Sequence, residues 1–190
     1  MEKNAPSEKR KSRVMCPELV ITSSLKVPPS TRRFMRTLSA VTGAPIIHRG
    51  KSNLDEIAYY VKRAKFKSFV VVFSKKSGPS ILTFYRLTTL GYFAKYGSLF
   101  LSTVNLVRRH RSYIGFEAIL KGKNALSTQI WNFFIDLFGD DLCHKYVGPI
   151  SRAIIKDLNE QSVIEFWGKQ DIILSMSIRK ISRQKYSMEK

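Results

Sequence analysis

Acidic residues are scarce in this chain. Across 190 residues there are 14 Asp and Glu against 33 Lys and Arg, for a formal charge of +19. Cysteine is nearly absent: Cys16 and Cys143 make up the whole complement, which excludes a disulfide framework and suits a reducing compartment. Long apolar runs are missing too. The longest, Phe69–Phe73, is far too short to span a bilayer. The opening segment Met1–Arg13 is charged with no hydrophobic stretch behind it, unlike a secretory signal. Histidine is limited to His48, His110 and His144. No phosphate-binding G-x-x-x-x-G-K-[ST] loop, dinucleotide-binding G-x-G-x-x-G or metalloprotease H-E-x-x-H occurs.

These gaps narrow the chemistry. Cys143-His144 is an adjacent pair, but a zinc site needs four ligands at suitable spacing. Asp140-Asp141 follows a helix end and reads as a loop, while Asp55-Glu56 is explained by a helix start. Carboxylates spaced to converge on Mg²⁺ are not visible. The expectation is a protein with no catalytic residues, no metal and no cofactor.

What is abundant is positive charge on a chain that can still fold. Apolar residues make up 44%, enough for a core. A surplus of this size opposes compaction unless a polyanion neutralises it. Nucleic acid is the first candidate; an anionic membrane surface is the second and is set aside.

Residues 1–15 read as a basic flexible tail, and 181–190 as another. Between them strands and helices alternate. Leu19–Thr22 is β-branched and extended. Pro28-Pro29 breaks the chain before a helix capped by Ser30 or Thr31 and closed by Gly43. Its Phe34, Met35, Leu38 and Val41 share one face, opposite Arg32, Arg33 and Arg36. A short strand at 44–47 and a turn at Arg49-Gly50-Lys51 lead to a helix capped by Ser52 or Asn53. Residues 68–74 are apolar without alternation, as in a strand covered on both faces, and 81–87 is another strand. The second half predicts strands over 99–107 and 113–120, helices over 126–137 and 149–158, and strands over 163–167 and 172–179. This is an α/β pattern in two halves of roughly 90 residues each.

Cations gather at turns and on helix faces. Lys26, Arg32, Arg33, Arg36, Arg49, Lys51, Arg108, Arg109 and Arg111 are the candidate RNA-binding residues. At 49–51 a glycine lets backbone approach a phosphate beside a helix N-terminus. A solvated turn accounts for the same residues. Tyr59, Tyr60, Tyr92, Phe93 and Tyr96 lie near basic segments and suit base stacking, although packing in the core or at its rim explains them equally well.

Several stretches resemble the Brix domain in order and spacing: Leu19–Ser24, Thr31–Leu38, His48–Glu56, Phe69–Val72, Gly78–Tyr85 and Phe166–Ile173. The resemblance covers about residues 18–180. There are departures. Leu25 stands where the family usually has an arginine, Ser30 where a second is common, and Leu174–Ser177 replace aromatic and basic residues. The resemblance implies a Brix domain over 16–180, with halves at about 16–95 and 96–180. Each half would be like the anticodon-binding domain of class II aminoacyl-tRNA synthetases. It also implies a non-catalytic factor of ribosome biogenesis that binds rRNA or pre-rRNA, with ribosomal or assembly proteins as further partners and no membrane. The expected location is cytoplasmic for a compact archaeal-type member, or nucleolar for a eukaryotic one. The rival readings are a tRNA-binding module, a general nucleic-acid-binding protein and an enzyme acting on RNA.

Overall fold

The computed structural model describes residues 11–15, 18–76, 78–107, 112–138 and 148–184. In chain order the elements are β1 (Lys11–Met15), β2 (Leu19–Ser23), α1 (Pro29–Thr42), α2 (Leu54–Arg63), β3 (Ser68–Lys75), β4 (Gly78–Leu87), β5 (Phe93–Leu106), β6 (Gly115–Leu120), α3 (Ala125–Phe138), β7 (Ile150–Leu158), β8 (Gln161–Trp167) and β9 (Ile172–Arg183).

All nine strands form one mixed sheet in the order β1-β6-β7-β8-β9-β5-β4-β3-β2. One pattern occurs twice. β2 pairs parallel with β3 across a helical crossover, and β3, β4 and β5 continue antiparallel. β6 pairs parallel with β7 across α3, and β7, β8 and β9 continue antiparallel. The two last strands, β5 and β9, pair with each other at the centre. The α/β class expected from the pattern is therefore the observed one.

The helices divide between the two faces of the sheet. Phe34, Met35, Leu38 and Val41 of α1 join Ile130, Phe133, Phe134 and Leu137 of α3 in one core, with Val70, Val72, Leu82, Phe84, Leu99 and Met176 beneath them. Ile57 and Val61 of α2 pack with Val20, Phe69 and Val71 in a smaller cluster. Because a strand presents alternate residues to opposite faces, β3 is enclosed by α1 on one side and α2 on the other. This is the cause of the unbroken apolar run at 69–72.

α1 starts with Pro28 in extended conformation and Pro29 at its first turn, and no side chain caps it. The missing N–H of proline costs nothing there. Thr31, expected as a cap, instead accepts a hydrogen bond from the Ser74 hydroxyl at 2.8 Å. α2 is capped by Asn53, whose Oδ1 accepts from the Glu56 N–H at 2.8 Å. α1 ends on Gly43 at φ +76, where an added Cβ would stand 2.5 Å from the Ile114 carbonyl carbon. The last carbonyls of α1 are satisfied from the other half of the chain: Tyr113 N–H donates to Ala40 at 2.8 Å, and the Ser151 hydroxyl donates to Val41 at 2.7 Å. Glycine is needed at 43 because a larger residue would push this joint apart.

Five expectations change. Residues 150–158 form strand β7, not a helix. The inward set opens with polar Ser151 and small Ala153 before Ile155, so the alternation is masked while Ile150, Ala153, Ile154 and Leu158 mimic helical spacing. Residues 11–15 are not tail but an edge strand antiparallel to β6, in which Met15 is buried and Ser12, Arg13 and Val14 are exposed. The strand expected at 44–47 is a single parallel rung between Ile21 and Ile46, because Pro45 has no N–H to extend a ladder. β9 continues to Arg183, into the segment read as the second tail, and β5 runs through the division expected near residue 95.

A candidate nucleic-acid interface

The rung at Ile46 positions the site. Ile21 N–H donates to the Pro45 carbonyl at 2.8 Å, and Ile47 N–H donates to the Ile21 carbonyl at 2.9 Å. This pins 45–47 along the free edge of β2 and holds the following residues opposite α1. Between the two lies a cleft of about 280 Å³. Arg32, Met35 and Arg36 form one wall, and Ile46, His48, Arg49 and Gly50 the other. Ser23, Leu25 and Val27 line it from the end of β2 and the loop that follows.

Helix spacing explains which α1 cations reach the cleft. Arg32 and Arg36 are four residues apart and so share a face, with Met35 between them. Arg33 lies one residue round the helix, is exposed, and does not line the cleft. Arg49 is half-buried, and its Nε donates to the Ser52 carbonyl at 2.7 Å. Ser52 N–H returns a bond to the Arg49 carbonyl at 3.0 Å, closing a turn with Gly50 at φ +57. A positive φ at the first central position is a glycine preference.

The turn at 49–51 differs from its expected role. The N-terminus of α2 is not an open anion site: Asn53 caps it, and Asp55 and Glu56 already lie in its first turn. Arg49 instead lines the cleft while its Nε stays bonded to the Ser52 carbonyl. Lys51 and Lys26 are exposed next to cleft residues without lining it. Arg108, Arg109 and Arg111 lie outside the described residues, as do Cys16, His110, Asp140, Asp141, Cys143 and His144.

Charge in the cleft is unopposed. The first turn of α1 has no acidic residue. Among the described residues, ion pairs join Lys67 to Glu18, Lys156 to Glu165 and Arg183 to Asp136, and no carboxylate pairs with Arg32, Arg36 or Arg49. Arg49 is felt beyond the cleft: burial raises the Tyr85 pKa, and the Arg49 charge partly offsets that rise.

The second half treats the matching position differently. Asp157 at the end of β7 accepts from the Ser127 hydroxyl at 2.6 Å and from the N–H groups of Lys123 and Asn124 at 2.6 and 3.0 Å. Desolvation works against its ionised form, but these three donors outweigh it and hold its pKa below the usual carboxylate value. An exposed carboxylate of the chain itself is thus held at the start of α3.

Of the aromatic candidates, Phe93 packs edge-on against Phe69 at 5.1 Å, and Tyr96 packs against Phe133 at 5.2 Å. Tyr59, Tyr60 and Tyr92 are exposed. The sequence reading missed Leu25, Val27, Ile46 and His48 as cleft residues. Only the adjacency of His48 to Arg49-Gly50 hinted at any of them. Among the described residues no three His, Cys, Asp or Glu side chains cluster as a metal ion requires, and no helix is long and apolar enough to cross a membrane.

No family model matches the sequence, and no curated protein does. Solved structures do match. One is a probable ribosomal biogenesis protein from Aeropyrum pernix K1, with a TM-score of 0.67 and 18% identity over 88% of this chain and 97% of that one. Another is Mil, an archaeal Imp4-like protein, with a TM-score of 0.63 and 18% identity over 87% of this chain and 99% of that one. The Brix resemblance carried by the motifs is thereby borne out at the level of the fold, which this chain shares with both proteins.

Proposed function

We propose that the chain is a Brix-type factor of ribosome biogenesis that binds rRNA or pre-rRNA without catalysing a reaction on it. The observation that carries this is the cleft where Arg32, Arg36 and Arg49 converge with no carboxylate to neutralise them. A fold shared with a probable ribosomal biogenesis protein supports the same reading. Lys and Arg contacts to phosphates supply most of the affinity, and RNA shape supplies the selectivity. Lys26, Arg33 and Lys51 extend the positive surface around the cleft, and Arg108, Arg109 and Arg111 are further contacts. Ribosomal or assembly proteins are the remaining partners, with the cytoplasm of an archaeal cell, or a nucleolus, as the setting.

Crosslinking in cells, followed by sequencing of the bound RNA, tests the proposal. Reads concentrated in ribosomal RNA or its precursors are expected. Reads dominated by tRNA would move the assignment to a tRNA-binding module. Cleavage or modification of labelled rRNA by the purified protein with Mg²⁺ would overturn the non-catalytic part.

A further inference from the structure

We infer that the cleft beside α1 takes one unpaired nucleotide of the bound RNA, its base on the apolar floor and its phosphate on the arginine rim. The inference rests on the RNA-binding reading and goes beyond it. Phosphate contacts from an exposed basic surface carry no sequence information and need no cavity. This surface has one, with a lining that phosphates do not use.

The floor is apolar and fixed. Met35 is buried, and Val27 and Ile46 are half-buried against the main core. Ile46 is held by the backbone bonds that flank it, from Ile21 to Pro45 and from Ile47 to Ile21. Leu25 adds an apolar group that is 59% exposed. Over this floor stand Arg32 and Arg36 on one side and Arg49 on the other. A nucleotide has the same division, with a flat apolar ring and a charged phosphate. Guanidinium planes also offer a stacking surface to an unpaired base. His48, exposed on the wall, brings ring nitrogens that pair with a base edge or a phosphate oxygen.

Size and charge select among ligands. Pockets for drug-sized ligands run about 300–1,000 Å³, and a cleft of about 280 Å³ has room for one base and its phosphate. Duplex RNA does not fit, because its bases are stacked and paired and cannot reach the floor. The shared chemistry is a nucleoside phosphate, which a free nucleotide also has. RNA is favoured as the source because exposed Lys26, Arg33 and Lys51 continue the positive surface past the reach of a mononucleotide.

The test uses the full chain and fluorescence anisotropy on three labelled hairpins: fully paired, with a one-adenosine bulge, and with an abasic bulge. The bulged hairpin is expected to bind about tenfold tighter than the other two, near 1.4 kcal/mol. Val27→Trp fills the floor without changing charge. It should erase that difference, bringing the bulged hairpin down to the affinity of the paired one. Leu25→Ala, at an exposed position with little effect on folding, should remove part of the difference and gives the reading if Val27→Trp fails to fold. Equal wild-type affinity for bulged and abasic hairpins would overturn the nucleotide pocket while leaving RNA binding intact. Loss of salt-dependent binding to all three would overturn the RNA-binding reading itself. Saturation by adenosine 5′-monophosphate at concentrations where the bulged hairpin saturates would overturn RNA as the source.

Discussion

Replacing Arg32, Arg36 and Arg49 with alanine tests whether the surplus charge forms a site or is merely spread over the surface. For a single-stranded ligand, each phosphate neutralised contributes about 0.7 to the slope of log K against log salt. Removing three such contacts should flatten the slope by about 2. Between 50 and 200 mM salt, one contact weakens binding about 2.6-fold and three together about 18-fold. The wild type should lose that much more affinity than the triple variant over the same interval. Anisotropy titrations at four salt concentrations read the slope directly. Lys121, Lys169 and Arg179 are exposed and outside the cleft, so their triple alanine variant is the control for the same change in net charge. Arg32 and Arg36 are exposed and without acidic partners, and Arg49 gives up one hydrogen bond, to the Ser52 carbonyl, so the melting temperature should fall by no more than a few degrees. If the control flattens the slope as much as the cleft variant, the cations act as a diffuse field and the site does not exist.

Further predictions concern the frame. Gly43→Ala should destabilise by 2 kcal/mol or more, about 4–8 °C in Tm, because a left-handed φ and the Ile114 backbone both oppose a Cβ. Gly50→Ala meets nothing within 4 Å and should cost only the conformational term, about 1 kcal/mol; equal losses at the two positions would show that the Ile114 approach exerts no pressure. For Asp157 the folded-state pKa is depressed, so its contribution is present above the unfolded value of about 3.9 and is lost as pH falls through the folded one. Asp157→Asn should therefore melt below wild type at neutral pH and converge with it below about pH 4, and a gap that widens in acid would contradict this. Arg49→Ala with Lys51→Ala should lower RNA affinity and leave Tm nearly unchanged; unfolding with binding retained per folded molecule would make the turn purely structural.

Local signals account for what could be read from the sequence. α1 and α2 were legible because apolar residues recur at helical spacing between recognisable ends, and β3 because it is apolar on both faces. β7 was not, because its inward positions hold Ser151 and Ala153, chosen to fit against the end of α1 and not for hydrophobicity. β1 was hidden for the opposite reason: Ser12, Arg13 and Val14 are exposed, so its evidence lies in the β6 edge it completes. In the cleft, Arg32 and Arg36 could be paired by their four-residue spacing. That Arg49 faces them depends on one rung at Ile46, and no periodicity announces a contact between residue 21 and residue 46. Leu25, Val27 and Ile46 therefore looked like ordinary loop and strand residues.

The repeated topology explains why the candidate site lies in the first half. Val72 pairs with the last residue of β2, and Ser74 lies two residues beyond it. Ile155 pairs with the last residue of β6, and Asp157 lies two residues beyond it. Ser74 and Asp157 thus occupy matching positions, each bonded to the third residue of its helix, Thr31 in one half and Ser127 in the other. A helix N-terminus carries about half a positive charge. In the second half a carboxylate of the chain itself, Asp157, stands beside it. In the first half it meets a neutral hydroxyl, with no acidic residue in the first turn and Arg32, Arg33 and Arg36 immediately following. The same architecture is internally neutralised on one side and left positive on the other. An external anion therefore has a reason to bind beside α1 that it does not have beside α3.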